Sequence, residues 1–217
     1  MVSQVQADSQ PTIEYPDSDG KPMADNTQQF RWIVVIKENL ESLFADDPTV
    51  FVAGDLLWYP IEGNNKICTA PDAMVVFGRP KGDRGSYQQW REANIPPQVV
   101  FEILSPGNTR REMNRKLLFY DRYGIEEYYL YDPETNALKG WLRTEDFLDE
   151  IEQMADWQSP RLRIRFDLSG AELQIYRPDN TRFLSHTELI ERLEQERQRA
   201  DRLADRLRQL GVNPDEI

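Results

Sequence analysis

The chain is poor in the residues that build cross-links and soft-metal sites, with one cysteine, Cys68, and one histidine, His186, in 217 residues. A lone cysteine excludes an intramolecular disulfide, and one residue of each kind excludes a Cys/His zinc cluster. This cysteine usage fits a cytoplasmic protein. No segment approaches 18 consecutive apolar residues, and the first 25 residues lack a basic stretch followed by an apolar one, so neither a membrane span nor an export signal is expected. Positive charge is also scarce. With 26 Lys+Arg against 38 Asp+Glu, the net charge of -12 disfavours general attraction to polyanions, and any nucleic-acid contact must use a local basic patch. Arg79, Lys81, Arg84 and Arg110, Arg111, Arg115, Lys116 are the two candidates; both also read as solvated charges. Neither GxxxxGK nor GxSxG occurs, which leaves the NTPase and serine-hydrolase readings without support.

Apolar residues make up 39% and aromatics 11%, enough to fold one domain with appendages. Residues 1–25 carry turn formers without apolar periodicity and read as a mobile arm. Residues 26–184 read as the domain, of the α/β class. A helix starts at Asn26 and ends before Pro48. Two neighbouring β runs follow, Val50 to Tyr59 and Ala70 to Phe77, and then an irregular stretch over 78–97. Gln98 to Leu104 is a strand apolar on both faces. Thr109 with Glu112 opens a capped helix that Gly124 stops. Glu127 to Tyr131 and Leu138 to Arg143 form a hairpin, and the acidic block 144–157 is ambiguous. Leu162, Ile164 and Phe166 alternate as a strand does, with Leu173 to Tyr176 as its partner. Residues 185–217 are a C-terminal amphipathic helix and tail, capped by Ser185 and Glu188 and stopped by Gly211 and Pro214. Its Leu193, Ala200, Leu203, Leu207 and Leu210 follow a heptad-like spacing broken at Glu196. That stripe suits either a homodimer or docking on the same domain.

Three charges stand where the pattern asks for a hydrophobe. Asp72 shares a strand face with Met74 and Val76, and Glu102 sits inside the apolar Val99 to Leu104 strand. A buried carboxylate must be protonated, paired or bound to a cation, because an unpartnered one costs several kcal/mol as an order of magnitude. Lys116 lies on the next helix, at the edge of the face carrying Phe119, Tyr120 and Tyr123. Each has a plain alternative: Asp72 as a turn residue, Glu102 in an arginine pair, and Lys116 in an i,i+4 pair with Glu112.

The segments APDAMVV (70–76), PPQVVFEILSPGNT (96–109) and REMNRKLLFYDRYGIEEYYLYDP (111–133) together resemble the bacterial Uma-two family of restriction-endonuclease-like proteins. The resemblance spans roughly residues 26–180. It implies the PD-(D/E)xK nuclease fold, a mixed central sheet flanked by helices, with Asp72 and Glu102 binding a divalent metal. Mg²⁺ or Mn²⁺ is the implied cofactor, and the backbone carbonyl of Ile103 would add a third oxygen. The implied activity is metal-dependent hydrolysis of DNA phosphodiester bonds. The superfamily's strand lysine is replaced here by Leu104, and Lys116 on the helix would stand in for it. Glu112 occupies a position where the family often has Asp. Glu38 and Glu41 of the first helix are possible further ligands that read more simply as solvated acids. Loss of the strand lysine leaves a second reading open, a catalytically inactive nuclease-fold module that binds nucleic acid or protein.

Overall fold

Asn26 starts the first helix: its side-chain oxygen accepts the Gln29 N–H at 2.8 Å, and α1 (Thr27–Leu43) buries Trp32, Ile33, Ile36 and Leu40 along one face. The computed structural model describes residues 13–20 and 22–213. The run expected from Val50 to Tyr59 is two elements. β1 (Val50–Ala53) ends at Gly54, Asp55 takes a positive φ of 48°, and β2 (Trp58–Tyr59) leaves the sheet that β1 belongs to. A left-handed residue cannot continue a strand, which is why the run breaks. β3 (Ala73–Phe77) returns antiparallel to β1. Inside the stretch expected to be irregular, β4 (Tyr87–Gln88) pairs in parallel with β2 and is followed by a short 3-10 turn, Gln89–Arg91.

β5 (Val99–Ile103) is buried on both faces, as its composition predicts. The crossover after it is α2 (Arg110–Arg122), capped by Thr109, whose hydroxyl accepts the Glu112 N–H at 3.2 Å; Gly124 ends the turn with φ 89°. β6 (Glu127–Asp132) lies parallel to β5, and β7 (Ala137–Thr144) and β8 (Phe147–Glu150) continue antiparallel, so part of the ambiguous acidic block is an edge strand. β9 (Arg165–Asp167) pairs with β10 (Gln174–Tyr176). The alternation of Leu162, Ile164 and Phe166 holds for burial, but Arg163 has φ 60° and the strand proper is only three residues long. α3 (His186–Gln209) begins with the full Ser185/Glu188 capping box and buries none of its residues. Pro214, expected as part of its stop, lies outside the described residues.

The main sheet has the order β1-β3-β5-β6-β7-β8, with β5–β6 as its one parallel pair. This is the mixed central sheet flanked by helices that the motifs imply. One sheet face packs α1 and the β9–β10 ribbon around Trp32, Ile36, Phe101, Tyr129 and Phe166. The other packs α2 over Met74, Val100, Tyr120, Tyr128 and Trp141. Of the arm expected at 1–25, residues 1–12 and 21 lie outside the described residues. The described part runs along the domain: Tyr15 packs edge-on against Tyr59 with ring centroids 5.2 Å apart, and the Tyr59 hydroxyl donates to the Pro16 carbonyl at 2.8 Å. Among the described residues no helix is long and apolar enough to cross a membrane.

Candidate active site

The register of β3 against β5 decides the site. Ala73 faces Phe101, so one further step along the antiparallel pair sets Asp72 opposite Glu102, and strand alternation turns both toward the α2 face with Met74 and Val100. Asp72 is 7% exposed and Glu102 2%. The ladder stops there, and the Ile103 N–H donates to Asp72 Oδ2 at 2.6 Å. Lys116 and Tyr120, four residues apart on α2, share a helix face. Lys116 Nζ donates to Glu102 Oε2 at 2.7 Å, and the Tyr120 hydroxyl donates to the other oxygen, Oε1. Gln29 Nε2, near the start of α1, donates to the Ile103 carbonyl at 2.9 Å.

The electrostatics follow from burial. Asp72 is held well above the usual carboxylate range, first by desolvation and then by the charge of Glu102, against which Lys116 and the Ile103 N–H pull down. Desolvation would lower the Lys116 ammonium, but the charges of Glu102 and Asp72 and its hydrogen bond to Glu102 outweigh it, and the net shift is upward. Lys116 therefore stays charged. Asp55 is raised by burial and by Asp19. A cavity of about 260 Å³ opens here, walled by Asp19, Asp25, Asp55, Asp72, Glu112 and Lys116 among others. Glu102 is absent from the wall and is reached from it through Lys116.

The four residues singled out from the sequence, Asp72, Glu102, Ile103 and Lys116, thus meet at one point. Lys116 bonds Glu102 and not the helix neighbour Glu112. Glu38 and Glu41 bond Lys37 and take no part in the cavity wall. In the first basic patch, Arg79 and Arg84 both bond Glu92 at 2.7 Å, and the Arg84 guanidinium sits 3.9 Å over the Phe51 ring, so those two are structural. Three participants escaped the sequence reading: Asp55, the Tyr120 hydroxyl and Gln29. Asp55 carries the same signal as Asp72, a charge inside an apolar run; Tyr120 shares the helix face that Lys116 borders, but the pattern assigns its hydroxyl no role, and Gln29 carries no signal.

Among the described residues no three His, Cys, Asp or Glu side chains form a ready metal cage. The donors present are nonetheless hard oxygens. Asp72 has one carboxylate oxygen outside its hydrogen bond to Ile103, and Glu102 has two that now serve Lys116 and Tyr120. Two carboxylates with water and substrate filling the remaining positions suit Mg²⁺, which favours few protein ligands. The donor set fits a hard divalent cation.

The family model described as "Putative restriction endonuclease" (Uma2) matches residues 6–173. Among solved structures, a "putative nuclease belonging to DUF820" from Anabaena variabilis is 17% identical, with a TM-score of 0.47 over 66% of this chain and 78% of that one. No curated protein matches. With more than half of its length matched, the chain belongs to the Uma2 restriction-endonuclease family.

Proposed function

We propose that the chain is a divalent-metal-dependent endonuclease hydrolysing DNA phosphodiester bonds, with Asp72, Glu102 and the Ile103 carbonyl as metal ligands. The observation that supports it most is the pairing of Asp72 and Glu102 across β3 and β5 with the Lys116 ammonium on Glu102. A bound Mg²⁺ or Mn²⁺ supplies Lewis-acid polarisation of the phosphate and makes water more acidic. The chain's own groups do the rest. The Ile103 N–H fixes one Asp72 oxygen and aims the other at the cavity. Gln29, which also lines the cavity, donates to the Ile103 carbonyl and fixes it, while Tyr120 holds Glu102 in place. Lys116 neutralises Glu102 in the resting site and, at the cavity wall, is positioned to stabilise charge growing on a phosphate oxygen. This assigns to the helix lysine the task of the missing strand lysine.

The narrow apolar stripe of α3 supports a homodimer, which would pair two sites on a duplex. Supercoiled plasmid incubated with Mg²⁺ or Mn²⁺, with and without chelator, tests the activity. Nicking should require the metal; Asp72→Asn and Glu102→Gln should abolish it, and Lys116→Met should slow it by roughly 10²- to 10³-fold. Absence of metal-dependent cleavage by the wild type would favour the inactive binding module instead.

A further inference from the structure

Tyr128 of β6 carries a polar group for which the resting chain has no use. Its register partner across the parallel β5–β6 pair is Val100, two residues before Glu102, so strand alternation points the ring to the α2 face, the face of Asp72 and Glu102. Trp141 stacks on the ring with centroids 4.8 Å apart at 16°, and Tyr120, whose hydroxyl holds Glu102, packs edge-on at 5.0 Å. The residue is 0% exposed, and its hydroxyl has no hydrogen-bond partner among the described residues. Burial and, after it, the charges of Glu102 and Asp72 raise the phenol well above its ordinary range. The hydroxyl therefore keeps its proton and lies in the field of that pair.

A buried hydroxyl without a partner costs stability, and phenylalanine would fill the same slot without that cost. Covered by Trp141 and Tyr120, the group cannot touch a substrate, so its partner must come from the centre itself. In the resting site both Glu102 oxygens are engaged, one by Lys116 and one by Tyr120. An ionised carboxylate has about four lone-pair sites, so the oxygen held by Tyr120 can accept a second hydroxyl. When Glu102 turns the other oxygen to a metal it loses the Lys116 donor, and the Tyr128 hydroxyl is the unused donor on the same face.

We infer that Tyr128 is a positioning residue of the metal centre, its hydroxyl donating to Glu102 beside Tyr120 once that carboxylate holds a divalent cation and Lys116 is released toward the phosphate. The inference rests on the reading of Asp72 and Glu102 as metal ligands, and its test keeps the two apart. The full chain is titrated calorimetrically with Mn²⁺ alone, and melting is followed without metal. Tyr128→Phe should weaken Mn²⁺ binding about tenfold, as loss of an outer hydrogen bond to a metal ligand does. Without metal the same variant should melt about 2–4 °C above the wild type, because an unpaired hydroxyl has left the core, whereas Tyr120→Phe, which removes a bond already made, should melt lower. A purely structural tyrosine would not give a more stable chain that holds metal less well. Equal Mn²⁺ affinity in wild type and Tyr128→Phe would overturn the inference and leave the metal site standing. So would a lower melting temperature for metal-free Tyr128→Phe, since the hydroxyl would then have a partner in the resting chain. A wild type that binds no Mn²⁺ would overturn the inference together with the metal ligands, while the expected loss of affinity without any plasmid cleavage would uphold it and sink the endonuclease reading alone.

Discussion

Buried acids in this chain are solved in two ways. Glu102 is satisfied by the Lys116 ammonium at 2.7 Å and the Tyr120 hydroxyl, both brought by side chains of α2. Glu127, 0% exposed, is satisfied permanently: it accepts from the Arg161 N–H at 2.6 Å, the Tyr129 hydroxyl at 2.8 Å and the Ser159 hydroxyl at 2.5 Å. It pins the 157–165 segment to β6 and lies on the α1 side of the sheet, away from the cavity. Burial nevertheless raises it above the ordinary 4.5, although all three donors pull the other way. A carboxyl raised by folding is more protonated in the native than in the unfolded chain, so its contribution is fully present below 4.5 and is lost as pH climbs toward the folded value. Urea unfolding of wild type and Glu127→Gln between pH 4 and pH 8 should therefore show the wild type losing ground to the variant as pH rises. A pH-independent difference would contradict this. At this scale the charged members of the candidate site were legible because a carboxylate in an apolar strand is conspicuous. Asp55 carries the same mark inside the run from Val50 to Tyr59, but it sits beside Gly54, where a charge reads as a turn residue. Gln29 and Tyr120 were hidden because a polar tip on an otherwise buried side chain leaves no mark in a hydrophobic pattern.

Elements were legible wherever a cap or stop was written in the sequence, as at Thr109, Gly124 and Ser185. Two of the failures share a cause, a non-glycine residue in the left-handed region: Asp55 ends β1 early and Arg163 shortens β9. Side-chain type gives little warning of either. β4, only two residues long, is too short to show a periodicity. The cap of α1 has the most direct energetic consequence, because this helix carries Gln29 to the Ile103 carbonyl. Asn26→Ala should cost about 1 kcal/mol, the usual worth of an N-cap, and lower the melting temperature by roughly 2–4 °C in a chain of this size. Calorimetry would read it directly; an unchanged transition would mean that tertiary packing alone holds the first turn of α1.

Over the whole molecule, the family match ends at residue 173, before β10 and α3. The last helix lies outside the matched residues, and Leu193, Leu203 and Leu210 are about 60% exposed. Arg192, Arg199 and Arg206 form a row one residue before Leu193, Ala200 and Leu207, flanking the stripe. In a parallel pair this row faces Arg197 and Ala204, with no acid to answer it. The dimer proposed above should therefore tighten with salt: light scattering from about 0.05 to 0.5 M NaCl should show more dimer as the arginine rows are screened. A chain truncated after Leu184 should be monomeric throughout, and a full chain that stays monomeric at micromolar concentration and high salt would refute the pairing. At the other end, Asp19, Pro22, Met23, Ala24 and Asp25 belong to the acid cavity's wall, and the Ser105 hydroxyl donates to Asp25 at 2.5 Å. A domain trimmed to its first helix would keep every regular element and still have a different cleft, wider and less negative, so the boundary drawn by secondary structure is not the boundary of the site.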